Sequence, residues 1–310
     1  GHELAGVVEA VGESVDDLTV GDPVVACLSM FCGRCQECMT GRTWLCEQRL
    51  ALGRPDRPRP RLVRDGVPVG QVAGLGGFAE QTIVHRNSVV RIPEGVPLDR
   101  AALLGCAVLT GVGSAINGAE VAPGSTVAVI GCGGVGLNLI QGARLAGARR
   151  IIAVDLSAEK LDLARTFGAT DTVHPGGPGD PGDPVEAVRA LEPSGVDHAF
   201  DVVGVSATSA QAVAMARPGR TAYLVGVPPV GETLELPGLH MLTQAKGFRA
   251  LLMGSNHFPR DIPMLADLYL QGRLELDALI SARLPLERVN EGFDLMRKGE
   301  AARVVVCFDD

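Results

Sequence analysis

The sharpest hydrophobic pattern in the chain is TVAVI at 126–130, a short apolar run closed by a glycine-rich turn. Such a run reads as a strand buried on both faces. A helix-like stretch follows at 137–146, then a second apolar run, IIAVD, ending at Asp155. Ser157 is placed to cap a helix over 158–167, because its hydroxyl can accept from a first-turn N–H. Further strands are predicted at 198–203, 221–225 and 248–252, with a helix at 207–216 between the first two. Strands alternating with helices at this spacing predict an α/β fold with a doubly wound parallel sheet. The first hundred residues differ. Short β-like runs at 4–11, 22–27, 78–84 and 88–91 are separated by Gly and Pro, which predicts a small β-rich domain. Near the end come a helix-like run at 286–298 and a last apolar strand at 303–308. The segments 174–184 and 53–77 read as surface loops, the second with five arginines between Arg54 and Arg64.

Two uncharged stretches, 101–118 and 121–143, raise the question of a membrane. A spanning helix needs about 20 apolar residues. The second stretch is interrupted by Pro123 and six glycines, so buried strands and turns are expected and no membrane partner. No secretory signal is visible, which points to a cytoplasmic protein. The chain has 310 residues, 46% hydrophobic and 21% charged, room for about two domains with large cores. Gly 40 and Pro 20 make up about a fifth of it, below the roughly 25–30% of low-complexity chains. A formal net charge of −8 and 4% aromatics argue against a nucleic-acid partner, which calls for a basic stripe or stacking platforms.

Four of the eight cysteines fall in FCGRCQECMTGRTWLC, as Cys32, Cys35, Cys38 and Cys46. Two disulfides could use them, but a reducing cytosol would keep the thiols free. The x2-x2-x7 spacing suits one tetrahedral zinc, since a small loop can aim several thiolates inward. Four thiolates leave no open position, so such a zinc would be structural.

The turn after TVAVI is GCGGVG, with Gly131, Gly133 and Gly136 in the G-x-G-x-x-G positions and Gly134 and Val135 between them. A strand before it, a helix after it and an acid ending the next strand make a dinucleotide-binding fingerprint. Gly131 serves the turn, Gly133 the approach of a pyrophosphate, and Gly136 close helix packing. Asp155, 19 positions after Gly136, would bond the ribose hydroxyls and repel a 2′-phosphate, which favours NAD over NADP.

Taken together, GHELAGVVEAVG, the four-cysteine lobe, LLGCAVLTGVGSA, GCGGVG with Asp155, and VNEGFDLMRKGEAARVVV resemble the zinc-dependent medium-chain alcohol dehydrogenases along the whole chain. The closing run and the long 50–77 loop are most similar to the class I and class III branch. The resemblance implies a GroES-like catalytic domain at 1–108 carrying the structural zinc lobe, a Rossmann NAD-binding domain at 109–252, and a segment at 253–310 returning to the catalytic domain. It implies a catalytic zinc held by His2 and Cys106, with Glu3 beside it as an outer or alternative ligand. It also implies that Val135 lies by the pyrophosphate, Lys160 near the adenine ribose, Val227 at the nicotinamide amide, and Arg303 on the pyrophosphate. Cys27, Cys132 and Cys307 are left as packing residues.

The activity implied is hydride transfer between a primary or aromatic alcohol, or its aldehyde, and NAD, in a homodimer. Two alternatives stand beside it. One is a glutathione-dependent formaldehyde (S-hydroxymethylglutathione) dehydrogenase, from which GSNHFPRD at 254–261 departs. The other is a non-catalytic NAD-binding protein. In the family a further cysteine ligand and a proton-relay Ser or Thr precede the GHE motif, and Gly1 already opens that motif here. The chain as given is therefore expected to be an N-terminally truncated form holding part of the catalytic site, to carry about one zinc rather than two, and to reduce little NAD.

Overall fold

The computed structural model describes residues 1–53, 60–176 and 182–308. Parts of both predicted surface loops, 54–59 and 177–181, lie outside the described residues. The chain packs as two units, Gly1–Leu109 with Asn256–Asp310, and Thr110–Ser255.

In the first unit β1 (Leu4–Val7) pairs antiparallel with β2 (Pro23–Ala26), setting Leu4 opposite Ala26. A separate hairpin, β3 (Leu62–Arg64) and β4 (Val67–Val69), is exposed throughout. β5 (Val89–Arg91) completes the order β1-β2-β5. Leu18, Ala26, Leu75 and Val89 form a core beneath this sheet, joined by Leu4, Val24 and Val84. The strand predicted at 78–84 does not form among the described residues. A strand exists only where a neighbouring edge takes its backbone groups. Here side chains engage that stretch: Arg61 donates to the Ile83 carbonyl, and Thr82 donates to the Leu75 carbonyl.

Leu98–Leu103 is an α-helix that runs on as a wider π-helical segment, Leu104–Val108. The uncharged stretch at 101–118, for which the sequence reading offered only the absence of a membrane span, is thus helical. An apolar run buried on every side has no periodicity to separate helix from strand. Leu98–Gly118 is long and apolar enough to cross a membrane, but 83% of its apolar window is buried inside the protein.

The second unit is built on a six-stranded sheet, every neighbouring pair parallel. Its strands are β6 (Thr126–Ile130), β7 (Arg150–Val154), β8 (Asp171–Val173), β9 (Val196–Asp201), β10 (Ala216–Leu224) and β11 (Gly247–Ala250), in the order β11-β10-β9-β6-β7-β8. A parallel sheet must be covered on both faces, and β6 is apolar and buried at every position. One face packs Ala128, Ile130, Ile152, Val154 and Ala199 under Val188, Ala212 and Val213. β6 lies between β7, which follows it, and β9, which comes later. The sheet therefore reverses its winding at the C-terminal end of β6, where ligands bind in such folds. The helix predicted at 137–146 begins earlier, as Gly134–Leu145, and Ser157 caps Ala158–Phe167 as predicted, accepting from the Lys160 N–H.

The chain re-enters the first unit at Asn256. The helix Phe258–Leu270 was not predicted, and it carries two prolines, Pro259 in its first turn and Pro263. Pro is tolerated in a first helical turn, where N–H groups lack partners anyway, but Pro263 lies inside this helix. β12 (Ile280–Leu284) then pairs in parallel with β13 (Arg303–Val306).

Candidate functional site

Three groups of residues carry chemistry. The first is the cysteine lobe. The Sγ atoms of Cys32, Cys35, Cys38 and Cys46 all lie within 4.8 Å of one another. Cys35 and Cys38 are 3.4 Å apart, and Cys32 and Cys38 3.9 Å. Four sulfurs around one zinc at about 2.3 Å would sit roughly 3.8 Å apart, so the donor set fits. The cysteines are free thiols. Backbone amides point at the sulfurs: Cys32 N–H donates to Cys46 at 3.2 Å, and the N–H groups of Arg34 and Cys35 donate to Cys32. The Arg34 amide does most to bring the Cys32 thiol down to about 6, while burial pushes Cys38 up to about 12. A bound dication would hold all four as thiolates. Thr43, buried between Cys38 and Cys46, ties the lobe to the re-entry point: its hydroxyl donates to the Asn256 carbonyl and lies 3.3 Å from His257 Nδ1.

The second group is His2, Glu3, Cys106 and Arg303. Cys106 lies on the π-helical segment, which rests directly on β2: a Cβ on Gly105 would meet the Ala26 carbonyl oxygen at 2.3 Å. Register brings His2, just ahead of β1, to the same place, with Nε2 3.3 Å from Cys106 Sγ. Glu3 Oε1 accepts from the Ala107 N–H at 2.8 Å, and Oε2 faces Arg303 Nε at 3.3 Å. That second contact is a charge pair without hydrogen-bond geometry, because Arg303 Nε is buried with no hydrogen-bond partner. Among the described residues, the cysteine lobe is the one place where three or more His, Cys, Asp or Glu donors converge. His2 and Cys106 fit two positions of a zinc site, and Glu3 is held by its own partners.

The third group surrounds the glycine turn in the second unit. Gly131, at φ +97°, donates to the Val154 carbonyl at 2.8 Å. A Cβ on Gly136 would lie 1.9 Å from the Gly131 oxygen, so only glycine lets the helix start this close to the turn. A Cβ on Gly133 would meet no atom within 4 Å. Gly133 is also the helix N-cap, with no side chain to satisfy the first amides. Free first-turn amides facing open space fit a phosphate group. Asp155 closes the turn: Oδ2 accepts from Cys132 N–H at 2.7 Å and Oδ1 from Ser157 N–H at 3.0 Å. Val135 and Lys160 are half-buried at the starts of their helices, and Val227 is 88% exposed beyond β10. Cys132 is buried, and that burial pushes its thiol up to about 12. Cys27 is buried and Cys307 half-buried.

The sequence reading passed over Asp201, a fully buried acid at the end of β9. Its signal was the one that marked Asp155, an acid closing a buried strand, here in VDHAFD.

Residues 1–94 match the family model described as "Alcohol dehydrogenase GroES-like domain", and residues 134–268 that described as "Zinc-binding dehydrogenase". Among solved structures, an alcohol dehydrogenase zinc-binding domain protein from Burkholderia ambifaria is 33% identical, with a TM-score of 0.92 over 100% of this chain and 84% of that one. The benzyl alcohol dehydrogenase of Acinetobacter calcoaceticus is 29% identical, with a TM-score of 0.89 over 100% and 83%. A protein from Sinorhizobium meliloti 1021, described as a zinc-binding dehydrogenase bound to NADP, is 30% identical, with a TM-score of 0.76 over 99% and 83%.

Proposed function

Since the chain belongs to the zinc-dependent medium-chain alcohol dehydrogenases, and is an oxidoreductase of that type, we propose that it exchanges hydride between a primary or aromatic alcohol, or its aldehyde, and NAD. The likeness to a benzyl alcohol dehydrogenase supports the aromatic end of that range. The observation that carries the cofactor reading is Asp155, a carboxylate fixed by two amides at the end of β7 beside the glycine turn. Held there, it accepts from ribose hydroxyls and disfavours a second phosphate. The amides at the start of Gly134–Leu145 bind the pyrophosphate, Val135 lies by it, Lys160 lies near the adenine ribose, and Val227 lies by the nicotinamide.

His2 and Cys106 would hold the catalytic zinc, with the lobe cysteines holding a structural one. A zinc with an open position supplies Lewis acidity that makes an alcohol hydroxyl easier to deprotonate. Glu3 keeps the Cys106 segment in place through the Ala107 amide and sets a negative charge beside the pair. We read the protein as a homodimer acting on small molecules.

The test is a fluorescence titration of the purified chain with NADH and NADPH, followed by aldehyde reduction with benzaldehyde and short aliphatic aldehydes. Tighter binding of NADH is expected. Equal or tighter binding of NADPH would overturn the cofactor assignment.

A further inference from the structure

The geometry points to Asp201 as the positioning residue of the cofactor site, a role that rests on the nucleotide reading of the glycine turn. Asp201 ends β9, fully buried, and two separate loops close on it. Its carboxylate Oδ1 accepts from Val203 N–H and Gly204 N–H, both at 2.9 Å. Oδ2 accepts from the Ser209 hydroxyl at 2.6 Å. Its main-chain carbonyl accepts from Val225 N–H at 2.8 Å and Gly226 N–H at 3.0 Å. One residue therefore fixes the loop after β9 with its side chain and the loop after β10 with its backbone.

Both loops lie where the nucleotide is read. β9 is the neighbour of β6, and Val202 N–H donates to Ile130 O at 2.9 Å, just before the glycine turn. The space a Cβ on Gly131 would need is taken by Val203 Cγ2, at 2.9 Å. The two loops also touch: a Cβ on Gly226 would lie 2.5 Å from Gly204 N. Beyond them Val203 and Val227 present apolar side chains to solvent, 45% and 88% exposed. Exposed apolar groups on a loop held this firmly make a preformed wall for a flat apolar ligand part. Asp201 does not reach that wall itself. It acts through the Val203 and Gly204 amides.

The decisive comparison is among Asp201→Ala, Asp201→Asn and Val188→Ala. Asn retains an oxygen that can accept from both loop amides. Val188→Ala makes a cavity in the core of the same unit at a residue that belongs to neither loop, and so controls for lost stability. We expect Asp201→Ala to weaken NADH binding about tenfold, with Asp201→Asn within about threefold of the parent and Val188→Ala unchanged. In the unliganded chain, Asp201→Ala should also speed hydrogen exchange at the amides of Val203 and Gly204. Parent-like NADH affinity in folded Asp201→Ala, or an equal loss in Val188→Ala, would overturn the assignment. If Asp201→Ala fails to fold, Asp201→Ser carries the same expectations, its oxygen being too short to serve both amides. The parent's own titration reports separately on the cofactor reading. A chain preferring NADPH would refute NAD specificity, and the same variants would then test Asp201 with NADPH. The exchange measurement needs no cofactor at all.

Discussion

His2 and Cys106 stand 104 positions apart in the chain and 3.3 Å apart in space, Nε2 to Sγ. That pair can grip an ion from two sides, but a three-ligand zinc needs one more protein donor, and Glu3 is engaged by Ala107 and Arg303. Among the described residues no third donor converges on the pair, so metal analysis of residues 1–310 after dialysis should give close to one tightly held zinc per chain, from the lobe, with any second ion readily lost. His2→Gln should abolish that weaker second site and leave the first untouched. Two zincs surviving dialysis would mean that Glu3 gives up its partners to complete the site.

Zinc in the lobe should support structure beyond the lobe, because Thr43 links it to Asn256 and His257. Cys46→Ser should drop the tight zinc to well below one per chain and lower the melting temperature of the unit containing Gly1–Leu109, by about 2–5 kcal/mol of stability as for loss of a native cross-link. Binding should release protons from the thiols that burial keeps neutral, Cys38 above all, so affinity should rise with pH. A zinc-free lobe melting like the parent would contradict this.

Asp155→Asn keeps the size of the side chain and removes the charge, its one amide oxygen serving only one of the Cys132 and Ser157 N–H groups that the two carboxylate oxygens now share. Discrimination between NADH and NADPH should fall about tenfold, mostly through tighter NADPH binding. An unchanged ratio would show that the carboxylate is not what reads the ribose.

Gly133→Ala and Gly136→Ala separate binding from folding. A methyl on Gly136 would sit 1.9 Å from a carbonyl oxygen, so that variant should lose about 3 kcal/mol of stability. A methyl on Gly133 meets no protein atom within 4 Å. It should leave the melting temperature within a degree or two, since surface changes cost about 0.5 kcal/mol or less, while weakening NADH where the phosphate must approach. Equal destabilisation by both substitutions would contradict the open cradle.

His198 adds a pH dependence. Its ring stacks against Phe200 and Tyr223 at 6.4 and 6.1 Å, and its Nδ1 is buried without a partner. Burial pulls its pKa below the usual 6.5, against the opposing charge of Asp197. The unfolded chain therefore takes up the proton more readily than the folded one. The contribution is complete above about pH 6.5 and is lost as pH falls toward the folded-state value. Urea unfolding between about pH 7 and 5 should show His198→Phe with the shallower decline. Identical slopes would refute it.

What the sequence determined by itself was local. The four lobe cysteines span fifteen residues, and the run from Thr126 to Asp155 is one strand, one glycine turn, one helix and one strand. Over such distances the chain's own geometry fixes where donors and amides point, so spacing sufficed. Family likeness could name His2 and Cys106, but only the β1–β2 register and the seat of Gly105 on Ala26 bring them together. The same holds for Leu98–Gly118, whose helical form depends on burial from all sides, and for 78–84, which becomes a strand only if an edge is offered. Asp201 shows it most plainly. Its role comes from amides up to 25 positions away, and those meet it only because β9 lies between β6 and β10. Strand order is set by long-range packing of apolar faces, and no stretch of sequence short enough to read as a motif contains it.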